Sequence, residues 1–167
     1  TTITEPEKSR DHTERMLKAA GVDIEIRGLE VRVRGRASLK PMDITIPGDF
    51  SSAAFFMVAG SLVPGSEILI KNTGINPTRT GLMDILKMMG ADIKFHNMKE
   101  VSGEPVADIS VKYAALSGIE VGGEMVLRAI DEFPILCVAA AKARGTTRIT
   151  GAGELRVKES DRIAAMA

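Results

Sequence analysis

The 167-residue chain has a single cysteine, no excess of either charge and no long apolar run. Cys137 cannot form an internal disulfide, and its place in the apolar stretch Phe133 to Ala141 suits a buried thiol in a reducing cytoplasm. Lys plus Arg and Asp plus Glu both number 22, so no global field draws the chain to nucleic acid or to an anionic membrane. The most apolar stretches, around Ala53 to Val63 and Ile135 to Ala141, fall short of the roughly 20 residues a membrane helix needs. No signal peptide is legible. A Gly-rich dinucleotide fingerprint, a phosphate loop and a Cys/His metal spacing are missing too, which sets aside nucleotide-binding and zinc chemistry. The chain starts at Thr1 without a methionine and reaches Ala167 within a helical pattern that no Gly or Pro ends, so both ends are expected to be cut.

Apolar residues make up 44% and charged residues 26%, enough to bury a sizeable core. Thr13, Met16, Leu17 and Ala20 fall on one helical face that Gly21 ends. Val22 to Arg27 and Leu29 to Arg34 alternate around Gly28 as a hairpin with one wet face, and Gly35 to Pro41 reads as a linker. Ile44 to Ile46 is a predicted strand, and Ser51 to Gly60 an almost wholly apolar helix expected to be buried on all sides. A strand at Glu67 to Ile70 precedes a helix striped by Leu82, Met83, Ile85, Leu86 and Met89, ended by Gly90. Strands follow at Asp92 to Phe95 and Val106 to Val111. The pattern then restarts, with a strand near Ile119, an apolar helix from Asp131 to Lys142, a strand at Thr146 to Thr150 and a last helix near Ser160.

The order also repeats residue by residue. Leu17, Lys18, Gly21, Asp23 and Ile24 recur as Leu86, Lys87, Gly90, Asp92 and Ile93, an offset that lays Arg10 over Arg79. A further step of about 80 residues lays Gly145 over Gly65 and Lys158 to Arg162 over Thr78 to Leu82. Each unit therefore offers a polar or charged residue at a corresponding helix entrance. The fold class is α/β, built of similar units that each bury a helix they could not bury alone, with parallel or mixed sheets left open.

Anion chemistry has one local candidate, because Lys142, Arg144, Arg148, Arg156, Lys158 and Arg162 face only Glu154, Glu159 and Asp161 between positions 142 and 162. At helical spacing Lys158 and Arg162 would share a face and hold an anion together, helped by nearby helix amides. The same residues also read as a solvated helix start capped by Ser160. Asp131 is either an N-cap or a carboxylate fixed at a helix mouth to accept a proton, and the two are not exclusive. Gly48-Asp49-Phe50-Ser51-Ser52 reads as a cap rather than a phosphate site, Arg10 as a candidate phosphate ligand, and His12 as a structural group.

Four segments in order resemble the bacterial type of 5-enolpyruvylshikimate-3-phosphate synthase, or 3-phosphoshikimate 1-carboxyvinyltransferase, family. They are Ser9-Arg10-Asp11-His12-Thr13-Glu14, Pro47 to Ala54, Ile130-Asp131-Glu132-Phe133-Pro134, and Arg156-Val157-Lys158-Glu159-Ser160-Asp161-Arg162-Ile163. The resemblance covers essentially the whole chain. It implies two domains, each of three βαβαββ units around parallel buried helices, an inside-out α/β barrel architecture of which this chain is an incomplete part. Residues 1–40 would end the N-terminal domain with its linker, and 41–167 would be most of a truncated C-terminal domain.

By that resemblance the activity is transfer of the enolpyruvyl group of phosphoenolpyruvate to the 5-hydroxyl of shikimate 3-phosphate, releasing phosphate, in aromatic amino-acid biosynthesis. Asp131 would accept the hydroxyl proton and Glu159 would take part in proton transfer to the methylene. Lys158, Ser9 and Arg10 would bind shikimate 3-phosphate and Arg162 phosphoenolpyruvate. No metal or organic cofactor, nucleic acid or membrane is implied, and the whole protein is expected to be a cytoplasmic monomer. The family's Asn-Ala-Gly-Thr loop with its arginine, its early Lys-Ser motif and its later arginine and lysine are absent from these residues, so the piece alone is expected to be inactive. Two alternatives stand beside this reading: an enzyme like the UDP-N-acetylglucosamine enolpyruvyl transferase, and a non-catalytic α/β repeat module whose charged helix entrances are only caps.

Overall fold

A computed structural model describes residues 1–167. Its first part holds β1 (Thr2–Thr4), α1 (His12–Ala19), β2 (Ile24–Arg27) and β3 (Glu30–Val33), with the antiparallel strand order β1-β3-β2. The predicted hairpin around Gly28 is present. The apolar face of α1 is only partly covered, because Met16 stays exposed and Ala20 alone of that face is buried.

The larger part follows as α2 (Phe50–Leu62), β4 (Glu67–Gly74), α3 (Gly81–Met88), β5 (Asp92–Val101) and β6 (Glu104–Lys112). Its sheet is antiparallel in the order β4-β6-β5, and Gly48 adds a single parallel bridge to Thr73. A strand stub, α2, β4, α3, β5 and β6 thus make one βαβαββ unit. The second unit begins with β7 (Glu120–Val121), runs through α4 (Glu124–Arg128) and α5 (Phe133–Lys142) to β8 (Arg148–Ile149), and ends with a 3-10 turn, Gly153–Arg156, and α6 (Arg162–Met166). Here β7 and β8 pair in parallel, as a crossover through helices requires.

The sequence repeat has a structural counterpart. Gly21 and Gly90 both adopt positive φ just past a helix, where glycine carries no Cβ penalty. Their amides bond to Lys18 and Lys87, and the next amides, of Val22 and Ala91, reach back to Leu17 and Leu86, the same double closure 69 positions apart. Gly65 and Gly145 likewise follow the helices α2 and α5 at positive φ.

Three expectations need correction. Ile44 to Ile46 form no strand: their backbone meets no partner edge before Gly48, and Ile46 is 85% exposed. The helix α2 is not buried all round, since Phe55 and Phe56 are 58% and 60% exposed while Ala54, Met57 and Val58 on its other side are sealed. Cys137 is half-buried rather than fully buried, with its Sγ 3.8 Å from Met166 Sδ.

One hydrophobic cluster runs from Phe50 on α2 to Leu155 and takes in Leu82, Ile85 and Leu86 of α3, Ile109 and Val111 of β6, and Phe133 and Leu136 of α5. Nothing before Phe50 belongs to it. Residues 1–40 instead meet the larger part through polar contacts, among them those at the tip of the β5–β6 hairpin. Ser102 and Gly103, both at positive φ, make a two-residue turn there. Gly103 O accepts from Arg15 at 3.3 Å, and Glu104 lies 2.7 Å from His12 Nδ1.

Candidate active site

Asp131 sits in the bend between α4 and α5, just before the entrance of α5. It does not cap that helix: the N-cap position belongs to Glu132, which makes no side-chain cap bond. The carboxylate of Asp131 is therefore free for other partners, and two arginines distant in sequence take it. Arg10, two residues before α1, donates Nη2 to Oδ2, and Arg162, the first residue of α6, places Nη1 3.3 Å from Oδ1. Arg162 also donates Nη1 to the Ile130 carbonyl at 3.3 Å and Nη2 to Glu159 at 2.6 Å.

Burial pushes the Asp131 carboxyl up, but the hydrogen bond and charge of Arg10, then Arg162 and Arg79, outweigh it and hold the group below the usual Asp range. Glu159 is likewise held low, first by a backbone hydrogen bond and then by Arg162. Both carboxylates are ionised at neutral pH.

The third arginine at a helix entrance completes the pattern. Arg79, which the sequence repeat lays over Arg10, precedes α3 and donates Nη2 to Ser51 Oγ at 2.6 Å. Its guanidinium is 3.7 Å from Glu132 and 3.9 Å from Asp49. Asp49 is the cap expected at the start of α2, accepting from Ser52 N at 2.7 Å and from Ser52 Oγ at 2.8 Å. Arg10, Arg79 and Arg162 therefore converge on the Asp131-Glu132 pair from three separate helix starts.

Lys158 departs from its expected geometry. The helix begins only at Arg162, capped by Asp161, which accepts from Ala164 N at 3.0 Å; Ser160 is not the cap. Lys158 lies in the preceding bend, so it does not share a helical face with Arg162. It is exposed, makes no ion pair, and lines an open groove of about 790 Å³ together with Ser9, Arg10, Thr78, Arg128 and Gly151. Ser9 and Arg10 enter this groove from the first part of the chain and Lys158 from the last. Ser9 bonds only to Glu5 there, through its hydroxyl and its amide.

Of the six residues singled out from sequence, the structure gathers Arg10, Asp131, Glu159 and Arg162 into one ion-paired cluster and sets Lys158, Ser9 and the flank of Arg10 around the adjoining groove. Arg79 and Glu132 were missed. The offset repeat carried the signal for Arg79, and a glutamate opening a wholly apolar run carried it for Glu132.

Comparison with known proteins agrees along the whole length. The family model described as EPSP synthase (3-phosphoshikimate 1-carboxyvinyltransferase) matches residues 1–167. Curated relatives named 3-phosphoshikimate 1-carboxyvinyltransferase include those of Geotalea daltonii, 61% identical over all 167 residues, and Geobacter sulfurreducens, 59% identical over all 167. The chain spans 39% of the length of each of those relatives. The solved EPSP synthase of Acinetobacter baumannii is 51% identical with a TM-score of 0.93, over 99% of this chain and 38% of that one. The enolpyruvyl transferase NikO of Streptomyces tendae, 24% identical with a TM-score of 0.66 over 89% of this chain and 35% of that one, shares the fold.

Proposed function

The chain belongs to the EPSP synthase (3-phosphoshikimate 1-carboxyvinyltransferase) family, and from that premise we propose that it carries the proton-transfer half of an enolpyruvyl transfer site. The reaction moves the enolpyruvyl group of phosphoenolpyruvate to the 5-hydroxyl of shikimate 3-phosphate through a tetrahedral intermediate and releases phosphate. The observation that carries this reading is the meeting of Arg10 and Arg162, from opposite ends of the chain, on the carboxylate of Asp131.

Such chemistry needs a base for the hydroxyl, an acid for the methylene, and fixed cations for phosphates and carboxylates. Asp131 is the base, Glu159 takes part in protonating the methylene, and Arg162 holds phosphoenolpyruvate. Ser9, Arg10 and Lys158 hold shikimate 3-phosphate in the groove they share. While Arg10 and Arg162 both pair with it, Asp131 is a weak base. Anionic substrates that draw the two guanidiniums to themselves lift that restraint, which couples substrate binding to the basicity the reaction needs.

Residues 1–40 close one domain and 41–167 form most of a second, in keeping with a core that starts at Phe50. The 167 residues alone turn over little, because the cations they supply do not encircle two anionic substrates. The complete protein acts as a monomer in the cytoplasm, a compartment suited to its half-buried free thiol. No helix is long and apolar enough to cross a membrane.

Thermal unfolding tests the reading in a chimera whose Geotalea daltonii parent has its matching segment replaced by these 167 residues. Shikimate 3-phosphate at about 100 times its Kd is expected to stabilise the chimera by about 2.7 kcal/mol. The double variant Arg10→Gln, Lys158→Gln is expected to lose most of that gain. A gain undiminished in the double variant contradicts the assignment of the groove.

A further inference from the structure

The approach to α5 holds a second carboxylate that the reading above leaves without a task. Glu132 follows Asp131 directly, yet its side chain is 0% exposed where that of Asp131 is 29% exposed. A sealed carboxylate costs stability unless partners answer it. Ser51, in the first turn of α2, donates Oγ to Glu132 Oε1 at 2.5 Å. Arg79 donates to the same serine oxygen at 2.6 Å and stands 3.7 Å from the carboxylate, so one hydroxyl ties the entrances of α2, α3 and α5 together. Oε2 of Glu132 and Nε of Arg79 are buried without partners. A hydrophobic side chain would fill this place without an orphaned carboxylate oxygen, so packing alone does not explain the glutamate.

The charged groups around the pair divide by side. Glu132 faces Ser51 and Arg79, whose Nη2 also lies 3.9 Å from Asp49. Asp131 faces Arg10 and Arg162, and Arg162 in turn holds Glu159. We propose that Glu132 is a positioning residue for Asp131, holding Arg79 on the buried side of the α5 entrance so that Arg10 and Arg162, and not Arg79, pair directly with Asp131. Its negative charge, one residue from Asp131, also opposes the arginines that keep Asp131 a weak base.

The division has an electrostatic signature. Burial and, less strongly, the neighbouring Asp131 charge raise Glu132, and Ser51, Arg79 and the charge of Arg10 only partly offset them, while Asp131 is held low. Two adjacent carboxyls are thereby driven apart in proton affinity. The inference deepens the transferase reading and rests on it for its catalytic meaning, but the coupling between the two side chains can be measured without turnover.

The test follows the Asp131 carboxyl by carbon-13 NMR titration in the 167-residue chain. Glu132→Gln keeps the shape and an acceptor for Ser51 but removes the charge and leaves Arg79 unmatched. Both changes favour ionised Asp131, so its midpoint is expected to fall by about one unit. Arg79→Gln removes a cation instead, and the midpoint is expected to rise. Because Arg79 retains some exposure, that variant decides the matter if Glu132→Gln does not fold. Midpoints unmoved in folded variants, or moved with the opposite signs, overturn the proposal. Failure of the transferase reading would show separately, as absent turnover in the chimera with the midpoint shifts intact.

Discussion

Replacing Asp131 by asparagine in the chimera is expected to lower kcat by roughly 1000-fold, the loss that follows removal of a positioned general base. The substitution is close to isosteric, and Asp131 caps no helix, so the entrance of α5 keeps its backbone bonds and the protein stays folded. An asparagine oxygen can still accept from Arg10 or Arg162, but it takes no proton at neutral pH. The loss is therefore expected in kcat more than in KM, since the interaction removed belongs to the transition state. Steady-state kinetics with both substrates checks this. A variant within a few-fold of its parent would mean that Asp131 only anchors the two arginines and that the base lies elsewhere, as the non-catalytic reading of the helix entrances would have it.

Truncating Phe133 to alanine is expected to destabilise the 167-residue chain by about 3–5 kcal/mol. Phe133 opens α5 two residues after Asp131, is 1% exposed and belongs to the cluster that joins α5 to α2. Its loss leaves a cavity where the second βαβ unit meets the first, and collapse around it would shift the rigid entrance on which Asp131 and Glu132 stand. Denaturant titration checks the size of the effect. Val138→Ala on the same helix serves as the comparison, because Val138 is exposed and its truncation should change stability little. Equal losses in the two variants would show that α5 is not seated as described.

Much of the fold was legible from local chemistry. The apolar stripe from Leu82 to Met89 and the glycine after it specify a helix, its buried face and its end within a few residues. The 69-residue offset is legible for the same reason, since Gly21 and Gly90 each satisfy a backbone conformation that other residues resist. Ile44 to Ile46 carries the residues of a strand but finds no neighbouring edge, and a strand exists only when paired. The short α4 escaped because five residues hold too little periodicity to read. In the β5–β6 hairpin, β5 was read six residues too short and β6 three, because the distal half of the hairpin points into solvent and toward α1. Alternation marks a buried face, and half of that hairpin has none.

The site shows the same limit. Asp131, Glu159, Lys158 and Arg162 are carried by their motifs, but convergence is a property of the fold. Position along the chain placed Lys158 and Arg162 on one helical face, and the late start of α6 at Arg162 undid that. Nothing local to Arg10 says that it meets Asp131, 121 residues away. The repeat says it indirectly, because equivalent helix starts in neighbouring units point at a common place. Arg79 obeys that rule, and Glu132 is the residue it finds there.

The central claim is that these residues serve enolpyruvyl transfer to shikimate 3-phosphate. Phosphate release from phosphoenolpyruvate by the chimera tests it most directly, with shikimate 3-phosphate or UDP-N-acetylglucosamine as the acceptor. The account predicts stoichiometric phosphate and enolpyruvyl product with shikimate 3-phosphate and none with the uridine nucleotide. Turnover with the uridine nucleotide alone, or with neither acceptor in a folded chimera, would contradict it.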